Sequence, residues 1–360
     1  MRIHTVVVFV LSLTLLASSS LLASDSETRR TLGGKPDFSG VYDASTLTPL
    51  ERPVQFGDRL FLTPKEVKDI AEEERALMAR GNAPTDGDRG APEAGGAALV
   101  GFEDRRQEAE LFGAGNVGAY NTFWFDRGEG ALAIKGQYRT SIITDPANGR
   151  RPAMHPEVEA TFTKWFSNFF RNDGTAWWLN EEGPGPYDDH ELRPAAERCL
   201  IGFVEGPPIV PGLYNNFVRL VQTPQHMMIL NEMIHDVRIV RMDSEHINDN
   251  IRKWLGDSIG WWEADSLVIE TTNFRDVTGL VGASRNLKLT ERLTVLDEGD
   301  LQYSFTVDDP TVWTKNWSGD FVLANSDERV FEYACHEGNY ALGNVMRGAR
   351  LLEQKQLTAR

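Results

Sequence analysis

The sequence LKLTERLTVLDEGDLQYSFTVDD, residues 287–309, contains two runs in which apolar and polar residues alternate. Successive side chains of a β-strand point to opposite faces, so each run predicts a strand with one buried face. The segment DEGD between the runs predicts a turn. The stretch therefore predicts an antiparallel hairpin whose inner face can be read residue by residue.

Similar runs surround this hairpin in the second half of the chain. They are FVRLVQT, HMMILNEM, DVRIVRMD, GWWE, SLVIETTNF, WTKNWSGDFVLA and RVFEYAC. Many short strands joined by small turns are typical of barrels and sandwiches. We therefore predict a mainly β fold, in which an antiparallel meander forms a lipocalin-like β-barrel, or else a sandwich, with a few peripheral helices.

Changes in composition divide the chain into four parts. Residues 1–23 combine a positive start, an apolar run and small residues, the pattern of a cleaved secretory signal peptide. Residues 24–99 predict an N-terminal extension with one strand, a helix over 64–80 and a flexible Gly/Pro/Ala tract. A β-rich barrel domain is predicted over 100–350, with a helical insertion near 156–171, and a tail over 351–360.

The net charge of −16 restricts the class of partner. Nucleic acids and anionic membranes are bound through basic surface, so this charge argues against both. After the signal, no apolar run reaches the roughly 20 residues that a membrane-spanning helix needs. The sequence predicts a periplasmic or extracellular protein whose partner is a small molecule.

Two cysteines, Cys199 and Cys335, are present. In an oxidising compartment two cysteines favour a disulfide, which would anchor the stretch EYACHEGNY structurally. The alternative is a reactive thiol at Cys335, which needs an electropositive, exposed setting.

Glu291 is the most informative polar residue, because alternation places it with Leu289 and Leu293 on the inner face of its strand. Burial raises the pKa of a carboxyl group, and such groups act as acids or bases in catalysis. The alternative is an internal ion pair with an arginine such as Arg238 or Arg285. Both interpretations stay open on the sequence alone.

Four further residues are candidates for proton transfer. Glu270 lies in a strand whose two faces both contain apolar residues, and His235 precedes Asp236, which could orient the imidazole. His336 falls where the predicted strand RVFEYAC ends, at the mouth of a barrel. The alternative for His235 and Asp236 is a turn held by hydrogen bonds, and for His336 a loop held in the same way.

Aromatic and polar residues near these positions are candidates to contact a ligand. They are Tyr303, Trp313, Trp261, Trp262, Arg238, Asn339 and Tyr340. Aromatic faces line pockets for apolar or ring-shaped molecules, although large barrels also fill their interiors with aromatic residues.

The sequence predicts no metal and no organic cofactor. The histidines show no H-x-H, H-E-x-x-H or clustered Cys/His spacing, and a P-loop, a dinucleotide fingerprint and a G-x-S-x-G motif are absent.

The blocks PDFSGVY, NEMIHDVRI, WLGDSIGWWEADSLVIETTNF and EYACHEGNY, in this order, resemble those of a broad family of secreted bacterial proteins of unknown function. The resemblance runs from residue 36 to about residue 350, outside the signal and the tract at 82–98. It implies a periplasmic or extracellular location and carries over no catalytic residues.

Three functions are compatible with these patterns. The first is a cofactor-independent acid/base enzyme, a lyase, hydratase or isomerase, with Glu291 paired with His336 or His235. A glycosidase would instead use Glu291 with Glu270. The second is a lipocalin-like protein that binds a small molecule without chemistry. The third is a surface-assembly protein with an exposed aromatic patch. A carboxylate inside the barrel favours the enzyme over the carrier.

Overall fold

The computed structural model describes residues 29–82, 84, 88, 125–170, 173–202, 206–296 and 299–358. The predicted signal peptide at 1–23 and most of the predicted flexible tract lie outside these ranges. In the described residues, nine strands close into a barrel and a tenth strand extends it. The strands are β1 (Gly40–Asp43), β2 (Ala133–Ile134), β3 (Gln137–Tyr138), β4 (Ile143–Asp145), β5 (Phe217–Gln222), β6 (His226–Asn231), β7 (Val237–Met242), β8 (Asp257–Glu263), β9 (Ser266–Thr272), β10 (Lys288–Val295), β11 (Leu301–Asp308) and β12 (Trp317–Ser326).

Strands β5 to β12 follow one another around the barrel, and β1 closes it between β12 and β5. The added strand is β4, which pairs with the first residues of β12, while β2 and β3 form a separate hairpin. The prediction of a mainly β barrel is confirmed. The strand expected in the N-terminal extension is therefore β1, a component of the barrel itself.

One neighbouring pair departs from an antiparallel meander. Strands β7 and β8 run parallel, from Val240 opposite Ser258 to Met242 opposite Gly260. A closed ring with an odd number of strands cannot alternate in direction throughout, so a barrel of nine strands needs at least one parallel pair. Parallel neighbours require a crossover of about a dozen residues or more, and residues 243–256 supply it.

The hairpin read from the sequence is β10 and β11, with Glu291 opposite Phe305. Its inner residues alternate as predicted: Leu289, Glu291 and Leu293 are buried on β10, as are Tyr303 and Phe305 on β11. The inner face of this hairpin thus follows directly from the period-two pattern.

Side chains fill the barrel. Trp317, Phe305, Phe321 and Tyr303 expose 0–2% of their surface. An internal space large enough for a ligand would leave part of its wall exposed, which these residues do not show. The interior of the barrel is therefore filled by aromatic side chains, the alternative given above to a ligand pocket.

Chain segments cover both ends of the barrel. At one end Phe38, fully buried, packs against Trp262 with ring centroids 5.4 Å apart. At the other end the segment 206–212 places Ile209 in the core. We call residues 206–212 the plug.

Four helices lie in the described residues: α1 (Pro64–Gly81), α2 (Pro156–Phe170), α3 (Cys335–Gly338) and α4 (Tyr340–Thr358). Helix α1 begins with a capping box, in which the backbone N–H of Thr63 donates to the Glu66 carboxylate and the Thr63 hydroxyl accepts from the Glu66 N–H. The predicted tail falls within α4. No helix in the described part of the chain is long and apolar enough to cross a membrane.

The prediction that RVFEYAC forms a strand is wrong, because residues 329–334 are in no strand. The pairing partners explain this result: β1 and β4 already occupy the neighbouring positions of β12, so no barrel edge remains for another strand. Cys335 instead begins α3. Ala349 of helix α4 packs with Ala176, Trp177 and Trp178 in a second, smaller apolar cluster.

Candidate functional site

A polar cluster lies inside the barrel, built by one inward-facing side chain from each of five neighbouring strands. Its members are Arg238 on β7, Ser258 on β8, Thr271 on β9, Glu291 on β10 and Tyr303 on β11. Their exposed fractions are only 0–5%. Three of the residues predicted from sequence, Glu291, Arg238 and Tyr303, therefore meet in one place.

Both oxygens of the Glu291 carboxylate are occupied. Arg238 donates to them through both terminal nitrogens, with Nη2 to Oε1 at 2.7 Å and Nη1 to Oε2. The Tyr303 hydroxyl donates to Oε1 at 2.7 Å and accepts the backbone N–H of Ile209, in the plug, at 2.9 Å. The carboxylate is thus held by a planar bidentate pair with Arg238 and by the phenol of Tyr303.

The electrostatics follow from burial and from this pairing. Burial alone would lower the pKa of Arg238, but the charge and hydrogen bonds of Glu291 raise it above its ordinary value. Burial and the adjacent Glu291 charge raise the pKa of Tyr303 well above 10.0. Arg238 is therefore a cation and Tyr303 a neutral donor.

Two hydroxyl groups complete the cluster. Arg238 Nη1 donates to the Thr271 hydroxyl at 3.2 Å, and that hydroxyl lies 2.8 Å from the Ser258 hydroxyl. The sequence left open whether Glu291 is a catalytic carboxyl group or part of an internal ion pair. In the structure it forms an ion pair with Arg238. Arg285 instead lies 3.3 Å from Asp276.

His235 and Asp236 lie outside the barrel, in the corner between β6 and β7. The corner is tight, since Ile234 and His235 both have positive φ, 58° and 47°. The Nδ1 of His235 lies 3.1 Å from the Tyr333 carbonyl oxygen, while the Asp236 carboxylate accepts the Gly202 N–H at 3.0 Å. Burial raises the pKa of Asp236 to about 6. Each residue thus fastens a neighbouring segment.

The disulfide between Cys199 and Cys335 is confirmed. His336 and Tyr340 are exposed, Tyr340 to 78%. Asn339 donates to the Glu197 carbonyl oxygen at 2.8 Å. The segment after β12 is therefore tied to residues 197–199, and His336 lies on a surface helix rather than at a strand end near Glu291.

Glu270 lies on the outer face of β9. Its carboxylate pairs with Lys288 at 2.6 Å and lies 3.3 Å from Nε2 of His246. The other ring nitrogen of His246 lies 3.1 Å from the carboxylate of Asp257. Both ring nitrogens of His246 thus lie within hydrogen-bonding distance of a carboxylate. His246 therefore bridges Asp257 and Glu270 and leaves neither ring nitrogen without a neighbouring carboxylate.

Asp257 anchors this second cluster, which we call the crossover clasp (Arg241, His246, Lys253, Asp257, Glu270, Lys288). Asp257 accepts the Ile247 N–H at 3.1 Å and pairs with Lys253 at 3.0 Å and Arg241 at 2.9 Å. Burial alone would raise the pKa of Asp257, but these hydrogen bonds and charges hold it below its ordinary value.

Burial alone would also raise the pKa of Glu270. The hydrogen bonds and charges of Lys288 and His246 outweigh this effect and lower the pKa. Sequence reasoning missed the roles of His246 and Asp257. The available signal was an aspartate at the start of a β-run, WLGDS, next to a long connection.

The three tryptophans that the sequence predicts to contact a ligand lie in separate places. Trp313 is buried, with its ring centroid 5.7 Å from that of Trp317. Trp262 packs inward below Phe38, and Trp261 points outward with its Nε1 donating to Glu263 at 3.1 Å. These three residues form no common pocket wall.

The described residues contain no group of three or more His, Cys, Asp or Glu side chains placed to hold a metal ion. A shallow depression near the plug is lined by Asn216, Val218, Ile209 and Asn231 among others.

Comparisons with protein-family models, curated proteins and solved structures found no match to this chain.

The two clusters have different chemical capacities. The interior cluster is a sealed ion pair whose acidic and basic groups are all occupied, which favours specificity of packing. The crossover clasp reaches solvent, but its imidazole lies between two carboxylates. In neither cluster does an acidic or basic side chain lie beside an open cavity without another side chain bonded to it.

Proposed function

We propose that the protein is an extracytoplasmic binding protein that catalyses no reaction and binds its partner on the outer surface of the barrel. The observation that carries this proposal is the state of Glu291, which is fully buried, paired bidentately with Arg238 and bonded to Tyr303. The residue that favoured an enzyme is thus occupied in an internal bridge.

Acid/base chemistry at Glu291 would need two things. The carboxylate would have to give up Arg238, leaving an unpaired buried charge that costs several kcal/mol. A substrate would also need a path past the plug, whose Ile209 N–H binds Tyr303. Both requirements count against catalysis in the closed barrel.

The filled interior also counts against carriage of a ligand within it. Lipocalin-type binding relies on an empty barrel, whereas the inner aromatic side chains here are buried against one another. Among the described residues, we therefore place recognition on the outer surface of the barrel.

Two features support an extracytoplasmic location. Disulfides such as Cys199–Cys335 persist mainly in oxidising compartments. The pattern of residues 1–23 is that of a secretory signal.

The test is an incubation of the purified secreted chain, or of its Glu291→Gln variant, with small molecules extracted from the growth medium. Mass spectrometry then follows the composition over hours. The proposal expects identical, unchanging profiles for both proteins. Any product formed by the wild-type chain overturns it, and loss of that product in Glu291→Gln would restore the enzyme hypothesis.

A further inference from the structure

The outer face of β5, β6 and β7 is unusually apolar. Five aliphatic or thioether side chains point outward from it: Val221, Met228, Leu230, Val237 and Ile239. The register places them side by side, with Val221 opposite Met228 and Met228 opposite Ile239. Val237 and Ile239 are each 48% exposed. We call this set the apolar face.

The other side of the barrel shows what an ordinary solvated face of this chain looks like. The outward residues of β10 and β11 are Lys288, Thr290, Arg292, Thr294, Gln302, Ser304, Thr306 and Asp308. Several of them bond to side chains on other strands, as Thr306 does to Ser318 at 2.9 Å. The apolar face is therefore a local property of β5–β7, and contiguous exposed apolar residues mark interaction sites.

Arg219 lies within this face, opposite Leu230 and next to Val41 on β1. It is exposed, and it makes no ion pair or hydrogen bond with the described part of the chain. Other outward cations of the barrel differ, since Arg241 pairs with Asp257, Lys288 with Glu270 and Arg292 with Glu263. Arginine is enriched among the residues that contribute most to binding, and an unpaired arginine beside exposed aliphatic residues offers a contact for a carboxylate.

We propose that the apolar face docks an acidic, amphipathic segment of another protein. Its apolar side chains would cover Val221, Val237 and Ile239, and a carboxylate would pair with Arg219. This inference rests on the proposed function and specifies its partner. Charge complementarity selects this occupant.

Two other occupants fit the charges less well. A second copy of the chain in a symmetric contact would bring two Arg219 residues and two net charges of −16 together. An anionic membrane would present an extended plane of negative charge to a chain of net charge −16, whereas a short acidic segment brings only a few carboxylates, one of them to Arg219.

The test uses two labelled 18-residue helix-forming peptides with the same leucine face, one with a glutamate and one with a lysine polar face. Fluorescence anisotropy measures binding to the full secreted chain. Non-specific attraction to a chain of −16 favours the lysine peptide. A preference of tenfold or more for the glutamate peptide, weakened by salt, is therefore expected only from a local site.

Variants locate the site. Arg219→Glu should reverse the preference, and Val237→Ser with Ile239→Ser should weaken glutamate-peptide binding at least tenfold. The matched controls are Arg292→Glu on the polar side of the barrel and Val277→Ser with Ile251→Ser, which are 49% and 54% exposed. Both controls should bind like wild type, and circular dichroism confirms that every variant is folded.

Several outcomes overturn the inference. The first two are failure of the glutamate peptide to bind, and binding of that peptide to Arg219→Glu as tightly as to wild type. The other two are self-association of the chain, measured by sedimentation, and binding of the chain to phosphatidylglycerol vesicles, if Ile239→Ser abolishes either one. Any of these can occur without product formation in the medium extract, so the surface can fail while the non-catalytic function stands.

Discussion

At the scale of single residues, Glu291 is a charge that the barrel tolerates only because Arg238 lies beside it. Removing one partner of such a pair leaves the other buried and unpaired, whereas replacing both with apolar residues removes the problem. The same pair therefore makes the interior specific without being the main source of its stability.

We predict that Arg238→Met lowers the free energy of unfolding by about 3–5 kcal/mol, because the Glu291 carboxylate loses its counter-ion. The double variant Arg238→Met, Glu291→Leu should recover most of that loss. Urea unfolding followed by tryptophan fluorescence measures both. Arg292→Met is the control, since Arg292 follows Glu291 in the chain but pairs with Glu263 at the surface; its effect should be smaller. A double variant as unstable as the single one would contradict the argument.

Asp236 gives a pH dependence whose sign is fixed by burial. Its pKa is raised from 3.8 to about 6, so the folded state binds a proton more tightly than the unfolded state. The stabilisation is complete below about pH 4 and is lost as the pH rises through about 6. Asp236→Asn keeps an oxygen to accept the Gly202 N–H but does not ionise.

We predict that Asp236→Asn loses less stability than wild type between pH 4 and pH 7. Urea unfolding at half-unit pH steps measures the difference, in which the titrations shared by both proteins cancel. Asp276→Asn, at a highly exposed carboxylate, is the control and should follow wild type. Parallel curves for Asp236→Asn and wild type would show that Asp236 ionises normally.

At the scale of elements, the parallel pair β7–β8 is the least regular part of the barrel. Three residue pairs form it, whereas β10 and β11 share eight. The crossover clasp fastens residues 243–256 at this point, with Asp257 as its central acceptor.

We predict that Asp257→Asn destabilises the chain by about 1.5–3 kcal/mol, because charged hydrogen bonds are lost. Hydrogen exchange should speed up at β7 and β8 and stay unchanged at β10 and β11. Glu263→Gln is the control, at the exposed end of the same strand. Uniform acceleration over the whole barrel would contradict a local role.

The elements show what sequence can and cannot supply. Alternation identified β10, β11 and the inward position of Glu291, because strand periodicity is local. It could not supply the parallel pair, since pairing direction depends on how many strands close the ring. RVFEYAC alternates too, yet it forms no strand because no partner edge remains. Arg238 was foreseen as a partner of Glu291, whereas His246 and Asp257 meet only through the crossover.

At the scale of the whole molecule, the disulfide joins two regions that are remote in sequence. Cys199 and Cys335 are 136 residues apart. Around the bond, Asn339 binds the Glu197 carbonyl oxygen and the Phe331 N–H binds Glu232. The covalent bond thus adds to the hydrogen bonds that tie the segment after β12 to residues 197–199 and to the corner between β6 and β7.

We predict that Cys199→Ser with Cys335→Ser lowers the free energy of unfolding by roughly 4–5 kcal/mol, because the unfolded chain is freed of a large closed loop. Hydrogen exchange should accelerate first at 335–342, before β10 and β11. Dithiothreitol should have the same effect on wild type and none on the double variant, which separates the bond from the substituted side chains. Equal urea midpoints for the oxidised and reduced wild type would show that the noncovalent contacts alone hold the C-terminal helices, and the stability of the fold would then not depend on an oxidising compartment.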